Sequence, residues 1–227
     1  MTQMPIEETI FLKILQERYP ASRIIELSGI ENNFHIRLAK GIMAEMIFIE
    51  IVRSGRLFET PCTIEHLECN LSDDMSWPEK SKLIEQNARV GDCLITFNDG
   101  RKIYVDVKMG SDIADDSLTR FNQEGYYMMN ACSNTTNNFY LVKNNEDFRK
   151  AVYETGHKRV SIKRDGSEKV MWNIEFDRLN KSKYPGLDFF MMDPAVYRKY
   201  LGKFRIELQE CAGLTMTQID RLIKDVV

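Results

Sequence analysis

One short stretch of the sequence, residues 91–108, combines acidic and basic side chains in a pattern that could support phosphate chemistry. Asp92 lies at its start, and Asp106 and Lys108 lie at its end. Two carboxylates can bind Mg²⁺ or Mn²⁺, since these ions prefer oxygen ligands and keep several waters. An ammonium group beside them can position a water or stabilise charge on a phosphate. This chemistry requires that the three side chains meet.

The surrounding residues predict a β-hairpin, and its loop length decides where the acids point. Two apolar runs, residues 92–97 and 102–108, flank an Asn-Asp-Gly turn, which is a strong hairpin signal. A two-residue loop would leave Asp92 and Asp106 on opposite faces. A three-residue loop, with its glycine in the left-handed conformation, pairs Asp92 directly with Asp106.

The hydrophobic pattern favours the three-residue loop, because this register separates apolar from polar side chains. One face then carries Cys93, Ile95, Phe97, Ile103, Val105 and Val107. The other face carries, together with Leu94, the polar set of Asp92, Thr96, Lys102, Tyr104, Asp106 and Lys108. Residues directly opposite each other have Cβ atoms roughly 4.5–5.5 Å apart. The two carboxylates are therefore predicted to lie within reach of one ion.

A third carboxylate, Glu45, is predicted to lie on a helix over residues 40–55, which ends at a glycine. It interrupts an apolar stripe at helical spacing. The stripe consists of Leu38, Ile42, Glu45, Ile49 and Val52. A carboxylate on an apolar face must be paired, hydrogen-bonded, metal-bound or neutral. Glu45 is therefore either a ligand of the site or an acid that reaches water at the margin of the helix.

This ordered set resembles the PD-(D/E)xK nuclease superfamily, the fold of many restriction endonucleases, Holliday junction resolvases and recombination exonucleases. The resemblance covers about residues 40–140. It implies a Glu on the first helix and an Asp at the start of the second strand, here Glu45 and Asp92. It also implies an Asp-x-Lys on the third strand, here Asp106 and Lys108. The three acids would bind the metal, and all four residues would be catalytic.

A further part of the resemblance is a Gln-x-x-x-Tyr pattern at Gln123 and Tyr127, on a helix predicted over residues 118–131. The recombination-exonuclease branch carries this pattern, which implies that the two side chains hold a phosphate or support Lys108. The alternative is that they pack between the helix and the sheet. One departure is Gly91, which stands where the family name expects proline.

The resemblance implies a metal-dependent nuclease, in the first place an endonuclease, that hydrolyses DNA with Mg²⁺ or Mn²⁺ as its cofactor. RNA stays open as a substrate. One alternative is a catalytically inactive relative that binds DNA or a protein partner, and another is a structural protein whose charges form an ion-pair network. A homodimer is plausible, because cleavage of a duplex needs two cuts.

The composition is that of an ordinary globular protein, with 43% apolar and 29% charged residues among 227. Its apolar runs are too short to span a bilayer and its N-terminus does not resemble a signal peptide, so no membrane partner and a cytoplasmic location are expected. Five loosely spaced cysteines argue against a disulfide framework. The net charge is −3, yet residues 143–183 carry 11 basic and 7 acidic residues, a local surplus that suits phosphate contact.

The order of predicted elements indicates an α/β fold with a central mixed β-sheet flanked by helices, a restriction endonuclease-like core. We expect a single domain over residues 1–227, with its core at about 36–143 and a C-terminal extension at 144–227 packed on it. The other predicted elements are a helix over 6–18, an extended stretch at 32–37, a strand at 138–142, a helix over 146–154, a hairpin over 159–176, and helices starting at 193 and 215.

Overall fold

A computed structural model shows two β-sheets surrounded by helices. It describes residues 32–55, 57–67, 76, 78–79, 82, 90–108, 110–120, 125–133, 136–162, 166–192 and 194–223. The helices are α1 (Asn32–Arg53), α2 (Asp115–Arg120), α3 (Glu146–Thr155), α4 (Pro194–Ala212) and α5 (Met216–Ile223). Among the described residues, no helix has the length and apolar character needed to cross a membrane. The helix predicted over residues 6–18 lies outside this part of the chain.

In the described part of the chain, nine strands form the two sheets. They are β1 (Cys62–His66), β2 (Cys93–Phe97), β3 (Lys102–Lys108), β4 (Asp112–Ala114), β5 (Gly125–Ser133), β6 (Thr136–Asn144), β7 (His157–Ile162), β8 (Glu168–Asn173) and β9 (Phe189–Met192). The larger sheet has the order β1-β2-β3-β5-β6-β9, and the smaller one has the order β4-β8-β7. Strands β3 and β5 run parallel, whereas the other neighbouring pairs run antiparallel. The prediction of an α/β fold with a mixed sheet flanked by helices is therefore confirmed.

Helices cover both faces of the larger sheet, and each face has its own hydrophobic core. The first core joins α1, α4 and α5 to one face and includes Phe48, Ile51, Cys93, Ile95, Val105, Val107, Leu201 and Ile219. The second core joins α2 and α3 to the opposite face and includes Leu118, Tyr127, Tyr140, Val142, Phe148 and Val152. The central strands are thus buried from both sides, which fixes their register.

The β2–β3 hairpin has the predicted three-residue register. Cys93 pairs with Val105 and Thr96 pairs with Lys102, and Asp92 directly precedes the paired residues. The predicted apolar set lies on one face, in or against the first core. The turn closes through a hydrogen bond from the Gly100 amide to the Phe97 carbonyl. Gly100 has φ 86°, the left-handed conformation expected at this position of the loop.

Gly91, at the other end of β2, is held in a conformation that excludes other residues. Its φ is 119°, and a Cβ atom there would lie 2.9 Å from the carbonyl oxygen of Val105. Proline fixes φ near −65°, so it is incompatible with this backbone.

Two sequence predictions are wrong. The helix predicted over residues 118–131 ends at Arg120, and Gly125–Ser133 is strand β5, which lies between β3 and β6. Tyrosines at 126 and 127 favour a strand, and both edges of β5 are hydrogen-bonded to neighbours. The extended stretch predicted at 32–37 is the first part of α1, since no proline separates it from the predicted helix.

Most of the later predictions are confirmed in the described residues. α3 begins after Asn145, whose side chain accepts a hydrogen bond from the Phe148 amide as an N-cap. β7 and β8 form the second hairpin. α4 begins at Pro194 and α5 follows Thr215, where Thr215 and Gln218 exchange capping hydrogen bonds.

The conformations of Gly91 and Gly100 give a prediction about the order of two stability losses. We expect Gly100→Ala to lower the free energy of unfolding by about 1–2 kcal/mol, because it forces a Cβ atom into left-handed backbone with open space around it. Gly91→Ala should cost more, since it adds the close contact with Val105 to the same strain. Urea denaturation of both variants checks this order. Equal losses would show that the Val105 contact is relieved at no cost.

Candidate functional site

Asp92 occupies a fixed position where β2 begins. Its backbone amide donates to the Val105 carbonyl at 2.9 Å, and its carbonyl accepts from the Leu67 amide at 2.9 Å. The Oδ2 atom of its side chain accepts from the Val107 amide at 2.7 Å. The carboxylate is therefore tied to the backbone of β3, beside the strand position that carries Asp106.

Asp106 and Lys108 form an ion pair on β3. The Lys108 Nζ lies 2.5 Å from the Asp106 Oδ2, and the side chains are 27% and 15% exposed. Val105 and Val107 point into the first core, so the alternating side chains of Asp106 and Lys108 point to the opposite face. Asp92 lies close to this pair, because its carboxylate accepts from the Val107 amide between Asp106 and Lys108.

The pKa of Lys108 reports the charges around it. Burial alone would lower this pKa and is the largest single effect, but the carboxylates of Asp106, Asp92 and Glu45 act against it. Their combined field raises the pKa of Lys108 above its ordinary value. The ammonium group therefore stays charged at neutral pH, within a region of negative potential made by all three predicted acids.

Glu45 is buried, but its direct partner is a residue that the sequence did not indicate. Only 8% of Glu45 and 7% of His66 are exposed, and Glu45 Oε2 lies 2.7 Å from His66 Nε2. α1 packs on the first-core face of the sheet, so Glu45 approaches from the side opposite Asp106. His66 pairs with Cys93, the residue after Asp92, which places the Glu45–His66 pair near the Asp92 end of β2.

Tyr127 lies beside Asp106, although on a strand and not on the predicted helix. The two residues are register partners in the parallel β3–β5 pair. Tyr127 is fully buried, and its hydroxyl donates to the Ser117 carbonyl at 2.8 Å. Burial, followed by the nearby Asp106 carboxylate, raises the pKa of Tyr127, so the phenol is neutral. Gln123 lies outside the described residues, and its role stays a prediction.

The donor chemistry of the site suits a hard divalent cation. Carboxylate oxygens are the ligands that Mg²⁺ and Mn²⁺ prefer, and the potential that raises the Lys108 pKa would attract such an ion. Asp92 is hydrogen-bonded to the amide of Val107, the residue after Asp106. In the described part of the chain, however, no group of three His, Cys, Asp or Glu side chains is arranged to hold a metal.

Sequence reasoning missed two contributors to this region. His66 lies 21 positions from Glu45, and the only signal for it was that a buried acid requires a partner. The Val107 amide, which binds Asp92, carries no sequence signal, because every residue except proline has an amide. Both contributors depend on how α1 and the strands pack.

The Glu45–His66 contact gives the second prediction. We expect Glu45→Ala and His66→Ala each to lower the free energy of unfolding by about 2–4 kcal/mol, because each removes a buried, charge-assisted hydrogen bond. Glu45→Gln should cost less, since an amide can still bond to the imidazole.

A double-mutant cycle measured by urea denaturation tests this coupling. The Glu45→Ala/His66→Ala protein should lose less than the sum of the single losses. Additive losses would show that the two side chains do not stabilise each other.

Comparison of the chain with models of protein families, with curated proteins and with solved structures found no match in any of the three. The assignment of a function therefore depends on the residues of the site themselves.

Proposed function

We propose that this protein is a metal-dependent nuclease that hydrolyses phosphodiester bonds of DNA, with a restriction endonuclease-like core. One observation carries the proposal. Asp92 accepts a hydrogen bond from the amide of Val107, which lies between Asp106 and Lys108 on β3, and the fields of Asp106, Asp92 and Glu45 raise the pKa of Lys108. Two acids thus lie near a lysine that is charged at neutral pH.

The order of elements supports this assignment. Glu45 lies on α1, Asp92 directly precedes β2, and the Asp-x-Lys pair lies on β3. The resemblance to the PD-(D/E)xK superfamily implies this same sequence of helix, second strand and third strand. The mixed sheet, with helices on both faces, is compatible with such a core.

Asp92 and Asp106 would hold Mg²⁺ or Mn²⁺, and Glu45, bonded to His66, would add its negative field from the opposite face. The bound ion would polarise the scissile phosphate and lower the pKa of the attacking water. The hydrogen bond from Val107 orients the Asp92 carboxylate, and burial of β3 keeps Asp106 in place. Such fixed carboxylates need little rearrangement on binding.

Lys108 would act as a cation and not as a base. Because the pKa of Lys108 is raised, its Nζ carries a full set of protons at neutral pH. It can therefore donate hydrogen bonds to a phosphate oxygen, stabilise the charge that develops there, and orient a water. Tyr127, with its neutral and buried phenol, would hold β5 against β3 and so keep Asp106 in position.

A second candidate function is favoured by the pairing of these charges. Lys108 binds Asp106, Glu45 binds His66 and the Val107 amide binds Asp92, so all three acids already have partners inside the protein. A catalytically inactive relative that binds DNA without cutting it would keep this ion-pair arrangement. The cleavage experiment separates the two functions.

We expect the purified protein to cleave plasmid or branched DNA in the presence of Mg²⁺ or Mn²⁺. Addition of EDTA should stop the cleavage. Asp106→Asn and Lys108→Met should each reduce the initial rate by about 10²-fold or more, because each removes a charge that acts on the reacting phosphate. The Asp99→Asn and Lys102→Met variants are matched controls from exposed positions of the same hairpin. They should retain the wild-type rate.

Thermal melts of all four variants separate loss of chemistry from loss of folding. A folded Asp106→Asn protein that cleaves at the wild-type rate would remove the proposed site. Wild-type protein that binds DNA but cleaves it with neither Mg²⁺ nor Mn²⁺ would favour the second candidate.

A further inference from the structure

The second hairpin forms a two-stranded ribbon, and the outer strand of this ribbon lies outside both cores. The ribbon consists of β7 (His157–Ile162) and β8 (Glu168–Asn173). All six residues of β7 are exposed, including Val160 at 51% and Ile162 at 67%. β7 is the last strand of the smaller sheet among the described residues. A strand so exposed on both faces contributes little to folding, so its sequence is free to serve another purpose.

The ribbon carries a local surplus of positive charge in this acidic chain. Residues 157–169 contain five Lys or Arg residues and two acids, a local charge of +3 in a protein of net charge −3. The basic residues are Lys158, Arg159, Lys163, Arg164 and Lys169. Arg159 lies 3.7 Å from Asp112 in an exposed pair, and such pairs contribute little. A phosphate group could therefore compete for Arg159.

Positive side chains leave the ribbon from both faces. Arg159 and Ser161 alternate with Lys158 and Val160 along β7. Lys169 pairs with Ser161 and so shares the face of Arg159. A two-stranded ribbon fits the major groove of B-DNA, which is about 12 Å wide. In that groove a phosphate backbone flanks each face of the ribbon. Lysine and arginine side chains on both faces can therefore contact phosphates.

We infer that this ribbon docks on duplex DNA, with Lys158, Arg159 and Lys169 contacting phosphates on the two sides of the major groove. The inference rests on the proposed function for its choice of DNA. The exposed Val160 and Ile162 would supply apolar surface of the kind that contacts thymine methyl groups.

A second copy of the chain fits this edge less well. Pairing of two β7 strands would bring Lys158 and Arg159 of each copy together, with no acid on either β7 strand to offset them. Like charges on adjacent strands are destabilising, and basic residues at an edge oppose such pairing. A polyanion gains from the same charges.

The ribbon is anchored close to the candidate site. Residues 109–111 alone separate Lys108 from β4, and β4 pairs with β8. The Asn173 Nδ2 donates to Ser111 Oγ and to Asp112 Oδ1, each at 2.7 Å. The ribbon extends roughly 20 Å from this anchor, which is about half a helical turn of DNA. Phosphates bound there would belong to the same duplex as the phosphate at Lys108.

The test compares two triple variants that remove the same charges. The first is Lys158→Gln/Arg159→Gln/Lys169→Gln on the ribbon. The matched control is Arg198→Gln/Lys199→Gln/Lys203→Gln on the exposed side of α4. Binding to a labelled duplex of mixed sequence, about three helical turns long, is measured by fluorescence anisotropy in EDTA over a range of salt concentrations.

The ribbon triple should bind at least about tenfold more weakly at moderate salt, and its slope of log K against log salt should fall by about 2–3. The control triple should keep the wild-type affinity and slope. Equal weakening of both triples, no change in the ribbon triple, or no binding by wild type would each overturn the inference. Sedimentation that shows a wild-type dimer lost in the ribbon triple, with unchanged DNA binding, would assign the ribbon to self-association and overturn it too.

Failure of this inference is distinguishable from failure of the proposed function. Binding in EDTA needs no cleavage, so it is independent of Asp106. If the ribbon binds DNA and the protein is a nuclease, the ribbon triple should have a higher KM and an unchanged kcat. Asp106→Asn should then bind DNA without cleaving it.

Discussion

The register of one hairpin is the constraint on which the rest of the site depends. Because side chains alternate along a strand, a shift of one residue would move Asp106 and Lys108 into the first core and bring Val105 and Val107 out of it. Burial of those valines therefore holds the acids in place as effectively as any contact they make themselves. Gly100 adds the left-handed residue that lets a three-residue loop close.

The second constraint is that charges inside a protein need partners, because removal from water is costly. The structure satisfies it with Asp106 beside Lys108 and Glu45 beside His66. These pairs lie at neighbouring positions of the sheet but on opposite faces. Lys108 connects them electrostatically, since Glu45 also contributes to its raised pKa. Within the described residues, these charged side chains are thus concentrated around the start of β2 and the end of β3.

Local periodicity predicted those features that depend on which face of an element is buried. The hairpin register and the position of Glu45 on a helix follow from spacing over a few residues, and both are present. Strand β5 was predicted as a helix because a polar stripe at helical spacing ran through a segment of tyrosine, methionine and alanine. A strand buried on both faces shows no alternation of its own, so only its neighbours β3 and β6 reveal it. The partner of Glu45 was hidden for the same reason, since His66 meets it through packing between elements.

A negative net charge is compatible with DNA binding if the charges are separated in space. A site that attracts a divalent cation must be negative, and the three acids around Lys108 make it so. The same potential would repel a phosphate backbone in the absence of a cation, so the proposed attraction for DNA has to come from elsewhere on the surface. At physiological ionic strength, exposed charges act over about 8 Å, which is shorter than the roughly 20 Å length of the ribbon. A basic ribbon and an acidic site can therefore coexist on one small protein without cancelling each other, and the total of −3 carries no information about either.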